Sequence, residues 1–223
     1  MTFDNYCTGK CNRMAYLISR AVVEEVELIC DFLVMEGVRG TSKTHLLHAI
    51  AHYARVINPD WNIICATARD FTDELIDAIQ SGAMMSFRTK YRNADLLLID
   101  NVECIAGRFA AEEEFFGLLD DLIASQKIVV VTVSPRKMYC DEIEYQIRKQ
   151  LQRGITITLD LPDLETRKAI LQTKAESYGM ILDDDTCALI AAEEGVDGSW
   201  LEGAIQDYLE KYSVREENAC IGD

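Results

Sequence analysis

Residues Gly37-Val38-Arg39-Gly40-Thr41-Ser42-Lys43-Thr44 come within one position of the phosphate-binding pattern G-x-x-x-x-G-K-[ST], with Ser42 where the last glycine belongs. The preceding run 32–35 is apolar and reads as a short buried strand, and 45–53 reads as an apolar helix. Strand, tight loop and helix is the context this motif needs, which sets it apart from a bare pattern match. From residue 13 to about 160, strand and helix signals alternate, as in a parallel sheet covered by helices. Strands are expected at 62–66, 95–100, 128–133 and 154–161. Helices are expected at 12–27 with Asn12 as N-cap, 71–81, 86–91 and 110–125. Beyond Pro162, three helices at 165–178, 184–194 and 199–212 read as a separate lid. The expected division is a nucleotide-binding domain over 1–161 and a helical subdomain over 162–223.

Such a loop binds phosphate through backbone N–H groups and the following helix N-terminus. Gly37, Gly40, Thr41, Ser42, Lys43, Thr44 and His45 are the candidate nucleotide residues. Lys43 would reach the β- and γ-phosphates, and Thr44 would place its hydroxyl on Mg²⁺. Ser42 weakens this scheme: a positive φ there costs a non-glycine residue about 1–2 kcal/mol. Asp100, ending the 95–100 strand, has the position of the second Mg²⁺-holding group. Hydrolysis also needs a carboxylate to orient or deprotonate water. The adjacent residue is Asn101, whose amide cannot take that proton, and the next acid is Glu103.

Composition narrows the function. The net charge is −16, from 22 Lys+Arg against 38 Asp+Glu, and this argues against strong autonomous binding to duplex DNA. No apolar stretch is long enough to span a membrane, and the N-terminus lacks a secretory signal, so a cytoplasmic protein is expected. The eight cysteines form no C-x-x-C pair. They read as reduced structural thiols rather than a zinc site at Cys7 and Cys11.

The chain as a whole resembles the AAA+ domain of the bacterial replication initiator DnaA family. The resemblance is carried by Thr2-Phe3-Asp4-Asn5-Tyr6 with Gly9 and Asn12, Lys43 to Ile50, Leu97-Leu98-Ile99-Asp100, Ile105-Ala106-Gly107 and Glu113-Glu114-Phe115-Phe116. Pro162 to Arg167 and Leu201-Glu202-Gly203-Ala204 complete it. Segment 99–107 is also of the style found in the regulatory homologue Hda, which leaves a regulator open.

The resemblance implies an α/β AAA+ fold with a small three-helix lid, and an ATP or ADP site with Mg²⁺ bounded by the N-terminal segment 3–12. It implies DnaA-type or other replication proteins as partners. It also implies a two-helix insertion at 71–93, where Arg88, Lys90 and Arg92 could touch single-stranded DNA, weakly given the acidic balance.

Four positions depart from the family pattern. Asn101 stands at the base position, Val133 at sensor 1, Gln150 at the arginine finger and Ser199 at sensor 2. Arg148 and Arg153 flank Gln150 out of register. These changes argue against efficient hydrolysis and against ATP-driven oligomerisation, because an arginine finger alone contributes about 10³–10⁵ in rate. The initiator's C-terminal helix-turn-helix domain has no counterpart in these 223 residues. Three readings follow: a nucleotide holder in replication initiation or its regulation, an active ATPase for unwinding or helicase loading, and a scaffold with a vestigial loop.

Overall fold

The computed structural model describes residues 1–24, 31–134, 142–180 and 182–192. The helix expected at 199–212, and Ser199 with it, lies outside the described residues.

Five strands form one sheet: β1 (Phe32–Glu36), β2 (Ile63–Thr67), β3 (Leu96–Asp100), β4 (Ile128–Val133) and β5 (Ile155–Thr158). Their order is β2-β3-β4-β1-β5 and every pairing is parallel. The apolar content explains this, because parallel strands are covered on both faces and read as near-continuous apolar runs. Every residue of Leu96–Asp100 is buried, and so are Val129 to Thr132 of β4.

Side-chain alternation along the strands divides the core in two. On one face, Val34, Leu97, Ile99, Val129 and Val131 pack with α3 (Ala68–Ser81), α4 (Met84–Arg92), α5 (Phe109–Ala124) and α6 (Glu142–Leu151). Phe71 sits at the centre there, its ring 5.1 Å from Tyr91 and 5.7 Å from Phe115, both edge-on. On the other face, Leu33, Met35, Leu96, Leu98 and Val130 pack with α1 (Arg13–Glu24) and α2 (Lys43–Ile57). Helix α6 lies in a stretch where the sequence pattern indicated no element.

Local chemistry sets the element ends. Thr67 and Asp70 form a reciprocal capping box at the start of α3, and Gly82 closes that helix with φ 71°. Asn12 directly precedes α1, yet its amide oxygen accepts the Gly9 N–H upstream at 2.8 Å and its amide nitrogen donates to the Cys7 carbonyl. Its side chain therefore fastens the turn before the helix, where an N-cap was expected.

The chain separates into two compact units. The first contains residues 1–6, 14–38 and 43–159, including the whole sheet. The second contains 7–13, 39–42 and 160–223. Within the second, α7 (Leu164–Ser177) and α8 (Asp184–Ala191) pack through Leu171, Ala175, Cys187 and Ala191. Asp163 and Asp183 cap these helices by accepting from Thr166 N–H and Thr186 N–H. Gly9 abuts α7: a Cβ there would lie 2.0 Å from Thr166 Oγ1, so only glycine fits.

Candidate nucleotide site

The loop after β1 starts with the Gly37 N–H donating to the Val133 carbonyl at 3.2 Å. Two left-handed residues then turn the chain into α2, Gly40 with φ 85° and Ser42 with φ 62°. Ser42 therefore takes the conformation for which the motif uses glycine. Helix α2 runs 15 residues from Lys43. Its first N–H groups have no partners within the helix, as at any helix start, and such ends receive anions.

Lys43 is only 6% exposed. Its ammonium donates to the carbonyls of Gly37 at 2.6 Å and Val38 at 2.9 Å. Burial pushes its pKa down, opposed by the negative charges of Glu103 and, less strongly, Asp100. The cation is thus held at the loop with two acids facing it.

Asp100, 5% exposed, ends β3. One carboxylate oxygen accepts from the Thr44 hydroxyl at 2.8 Å, and the other accepts from the Thr132 hydroxyl. The same Thr132 oxygen accepts the Asn101 N–H at 2.8 Å. Parallel register delivers these groups, since Thr132 lies one step past the Ile99–Val131 pair. Thr44 and Asp100 are hard oxygen donors in contact. Among the described residues there is no group of three or more His, Cys, Asp or Glu side chains fit to hold a metal. A cation held by these two oxygens would complete its shell with waters, as Mg²⁺ commonly does.

Asn101, with φ 56°, swings the chain out of β3 into a short 3₁₀ turn, Val102–Ile105. Val102 and Ile105 are buried and anchor that turn. Glu103 is brought back to Ser134, whose N–H and hydroxyl both donate to it, and to the vicinity of Lys43. Burial pushes the Glu103 carboxyl pKa up. Its Oε2 is enclosed and has no hydrogen-bond partner among the described residues.

Other sequence candidates fall elsewhere. His45 Nε2 lies 3.1 Å from the Thr2 carbonyl and 3.0 Å from Asn5 Oδ1, so its ring is fastened to the N-terminal segment. That segment builds an aromatic cluster in which Tyr6 meets His45 edge-on and Phe3 meets Tyr16 and Tyr53. Val133 packs against the apolar core, and the polar groups at the end of β4 are Thr132 and Ser134. Gln150 on α6 accepts from Arg153, which also pairs with Asp120 at 2.6 Å. Arg88, Lys90 and Arg92 pair with Glu114, Glu74 and Asp121 at 2.6–2.7 Å. Thr132, Ser134 and the return of Glu103 were missed by sequence reading; the only signal was their position at or just past strand ends.

A parallel sheet in this order, with a phosphate-type loop after β1 and an acid ending β3, defines a P-loop module of the AAA+ class. The family model for the bacterial DnaA ATPase domain matches residues 1–158. The chain belongs to that family. A chromosomal replication initiator protein DnaA from Lactiplantibacillus plantarum is 37% identical over 204 residues, covering 92% of this chain and 45% of its own. The chain thus spans about half the length of the curated relatives it matches. The crystal structure of domain III of the Thermotoga maritima replication initiation protein DnaA has a TM-score of 0.87 at 28% identity, covering 96% of this chain and 90% of that one. DnaA from Aquifex aeolicus, solved bound to AMPPCP, has a TM-score of 0.80 at 25% identity, covering 97% and 69%.

Proposed function

We propose that this chain is an adenine-nucleotide-binding AAA+ module acting in chromosomal replication initiation or its regulation. ATP or ADP would be bound with Mg²⁺, and hydrolysis would be slow or absent. The observation that carries this reading is the assembly of the buried Lys43 ammonium with the touching Thr44 and Asp100 oxygens at the mouth of the Gly37–Thr44 loop. The Aquifex relative bound to AMPPCP, an ATP analogue, supports it.

In this scheme the loop N–H groups and Lys43 receive the phosphates, while Thr44 and Asp100 hold the Mg²⁺ shell. On this reading residues 1–161 would make up the nucleotide-binding domain and 162–223 a helical lid subdomain. The lack of arginine at Gln150, and of a base at Asn101, is what supports the reading of slow turnover. Partners are replication proteins, with single-stranded DNA a weak one because Arg88, Lys90 and Arg92 are already paired. No helix among the described residues is long and apolar enough to cross a membrane.

Isothermal calorimetry with ADP and with ATP, each with Mg²⁺, tests the reading. Saturable binding is expected, lost in Lys43→Ala. Absence of heat at millimolar nucleotide would overturn it.

A further inference from the structure

Helix α2 continues directly from the phosphate loop, so Lys43, Thr44 and His45 share its first turn. His45 commits its ring to the N-terminal segment. Its Nε2 lies 3.1 Å from the Thr2 carbonyl and 3.0 Å from Asn5 Oδ1. The Thr2 N–H donates to that same Asn5 oxygen at 2.8 Å, which fixes the amide orientation. Both neighbours of Nε2 are therefore acceptors, and Nε2 carries a hydrogen that they share. One amide oxygen thus closes the 2–5 turn and takes the hydrogen bond that seats this turn on α2.

Aromatic rings complete the seat. Tyr6 meets the His45 ring edge-on at 5.1 Å. Phe3 meets Tyr53, about two turns further along α2, edge-on at 5.5 Å. Tyr16 of α1 touches both, edge-on to Phe3 at 5.3 Å and stacked on Tyr6 at 5.9 Å. Phe3 and Tyr6 are buried in consequence, and residues 1–6 belong to the same compact unit as α2 and the sheet.

A helix start frays readily, because its first N–H groups have no partner within the helix. In α2 that turn also carries the two residues assigned to phosphate and Mg²⁺. A clip one position past Thr44 therefore restrains the turn on which the ligand depends. We infer, on the nucleotide-site reading above, that His45 is a positioning residue which clips residues 2–6 onto the first turn of α2 and so couples their docking to nucleotide affinity. The coupling is reciprocal: docking of the segment tightens nucleotide binding, and bound nucleotide tightens docking by the same factor.

Two measurements on the full chain test this: hydrogen exchange of the peptic peptide holding residues 1–6, with and without ADP and Mg²⁺, and fluorescence binding of methylanthraniloyl-labelled ADP. In the wild type, ADP should slow exchange in that peptide. His45→Leu keeps apolar bulk without the donor. It should speed exchange in the free protein and raise the Kd for labelled ADP about three- to ten-fold, the worth of one hydrogen bond. His45→Gln, whose amide N–H can reach the same oxygens, should recover most of both effects. Asn5→Ala, at an exposed position, should act like His45→Leu and keeps the comparison available if the leucine variant does not fold. The double variant should bind within about two-fold of the weaker single one, because both changes remove the same contact. Faster exchange with an unchanged Kd makes the clip purely structural and overturns the coupling. Fully additive losses in the double variant also overturn it, placing His45 on the nucleotide itself. Failure of the wild type to bind labelled ADP overturns the nucleotide reading and the coupling with it, while the exchange difference between wild type and His45→Leu still reports the clip.

Discussion

The Thr132 hydroxyl donates to the Asp100 carboxylate, and so joins the end of β4 to the end of β3 at the point where the candidate metal shell is built. Both residues are buried, with Thr132 fully enclosed. The same oxygen receives the Asn101 N–H, so one side chain satisfies an acid and the backbone beside it.

Replacing that hydroxyl should therefore be costly. Thr132→Val keeps the shape but leaves a buried carboxylate oxygen and a backbone N–H without their partner. A loss of about 2–3 kcal/mol is expected in urea unfolding, with Thr132→Ser close to wild type. Mg²⁺-dependent nucleotide binding should weaken in the valine variant only.

Ser42 offers the opposite change. Its φ of 62° penalises a side chain by about 1–2 kcal/mol, part of which glycine gives back through its freer unfolded chain. Ser42→Gly should raise unfolding free energy by about 0.5–1 kcal/mol and tighten ADP binding in calorimetry. Unchanged stability would show that the loop relaxes around the serine.

Glu103 should leave a pH signature in stability. Its carboxyl is held above the ordinary glutamate range by burial, so the folded state favours the protonated form. That contribution is fully present below the unfolded value of about 4.3 and is lost as pH rises through the folded value. Glu103→Gln should thus raise Tm at pH 7–8 by about 2–4 °C, roughly 1 kcal/mol at this size, with the advantage vanishing below about pH 4. Differential scanning fluorimetry across pH 4–8 measures it.

The insertion α3–α4 can be tested through its ion pairs. Neutralising the carboxylates in Glu74→Gln, Glu114→Gln and Asp121→Asn would release Lys90, Arg88 and Arg92. Oligo-dT affinity should rise in the triple variant. Its salt slope should steepen by about 0.7 per cation that engages phosphate. Stability should change little, because exposed pairs contribute at most about 1 kcal/mol each. An unchanged slope in fluorescence anisotropy would place DNA contact elsewhere.

The sheet was legible because its strands are short apolar runs with punctuated ends: Leu96 to Ile99 and Val129 to Val131 leave little choice but a doubly covered parallel strand. Lys43 and Thr44 stand out through the fixed spacing of the loop, and Asp100 because it ends an apolar strand; the contact between Thr44 and Asp100 is what the structure adds. Thr132 was not, since its meeting with Asp100 is a property of register between strands more than thirty residues apart in sequence. Glu103 looked too far from the strand end because linear distance ignores a left-handed residue, and Asn101, of a type prone to that conformation, was weighed only for its side chain. Val133 packs against the core, and alternation along β4 turns its polar neighbours Thr132 and Ser134 toward Asp100 and Glu103, a placement the letters do not show. Helix α6 escaped because its apolar residues are sparse and the pattern offered no strong start.

The order β2-β3-β4-β1-β5 also sets which kinds of sequence change the family can absorb. Thr132 meets Asp100, and Gly37 meets Val133, only because three neighbouring strands end in step. A slip of one residue in β4 would put a valine, 131 or 133, where the Thr132 hydroxyl now stands, and Asp100 would face a methyl group. Substitutions within the strands leave that alignment intact, whereas a single inserted or deleted residue inside β3 or β4 dismantles the site without touching any of its side chains. Length variation in descendants of this chain should therefore collect at the opposite ends of the strands and in the helices, and the strand interiors should drift in letter but never in length.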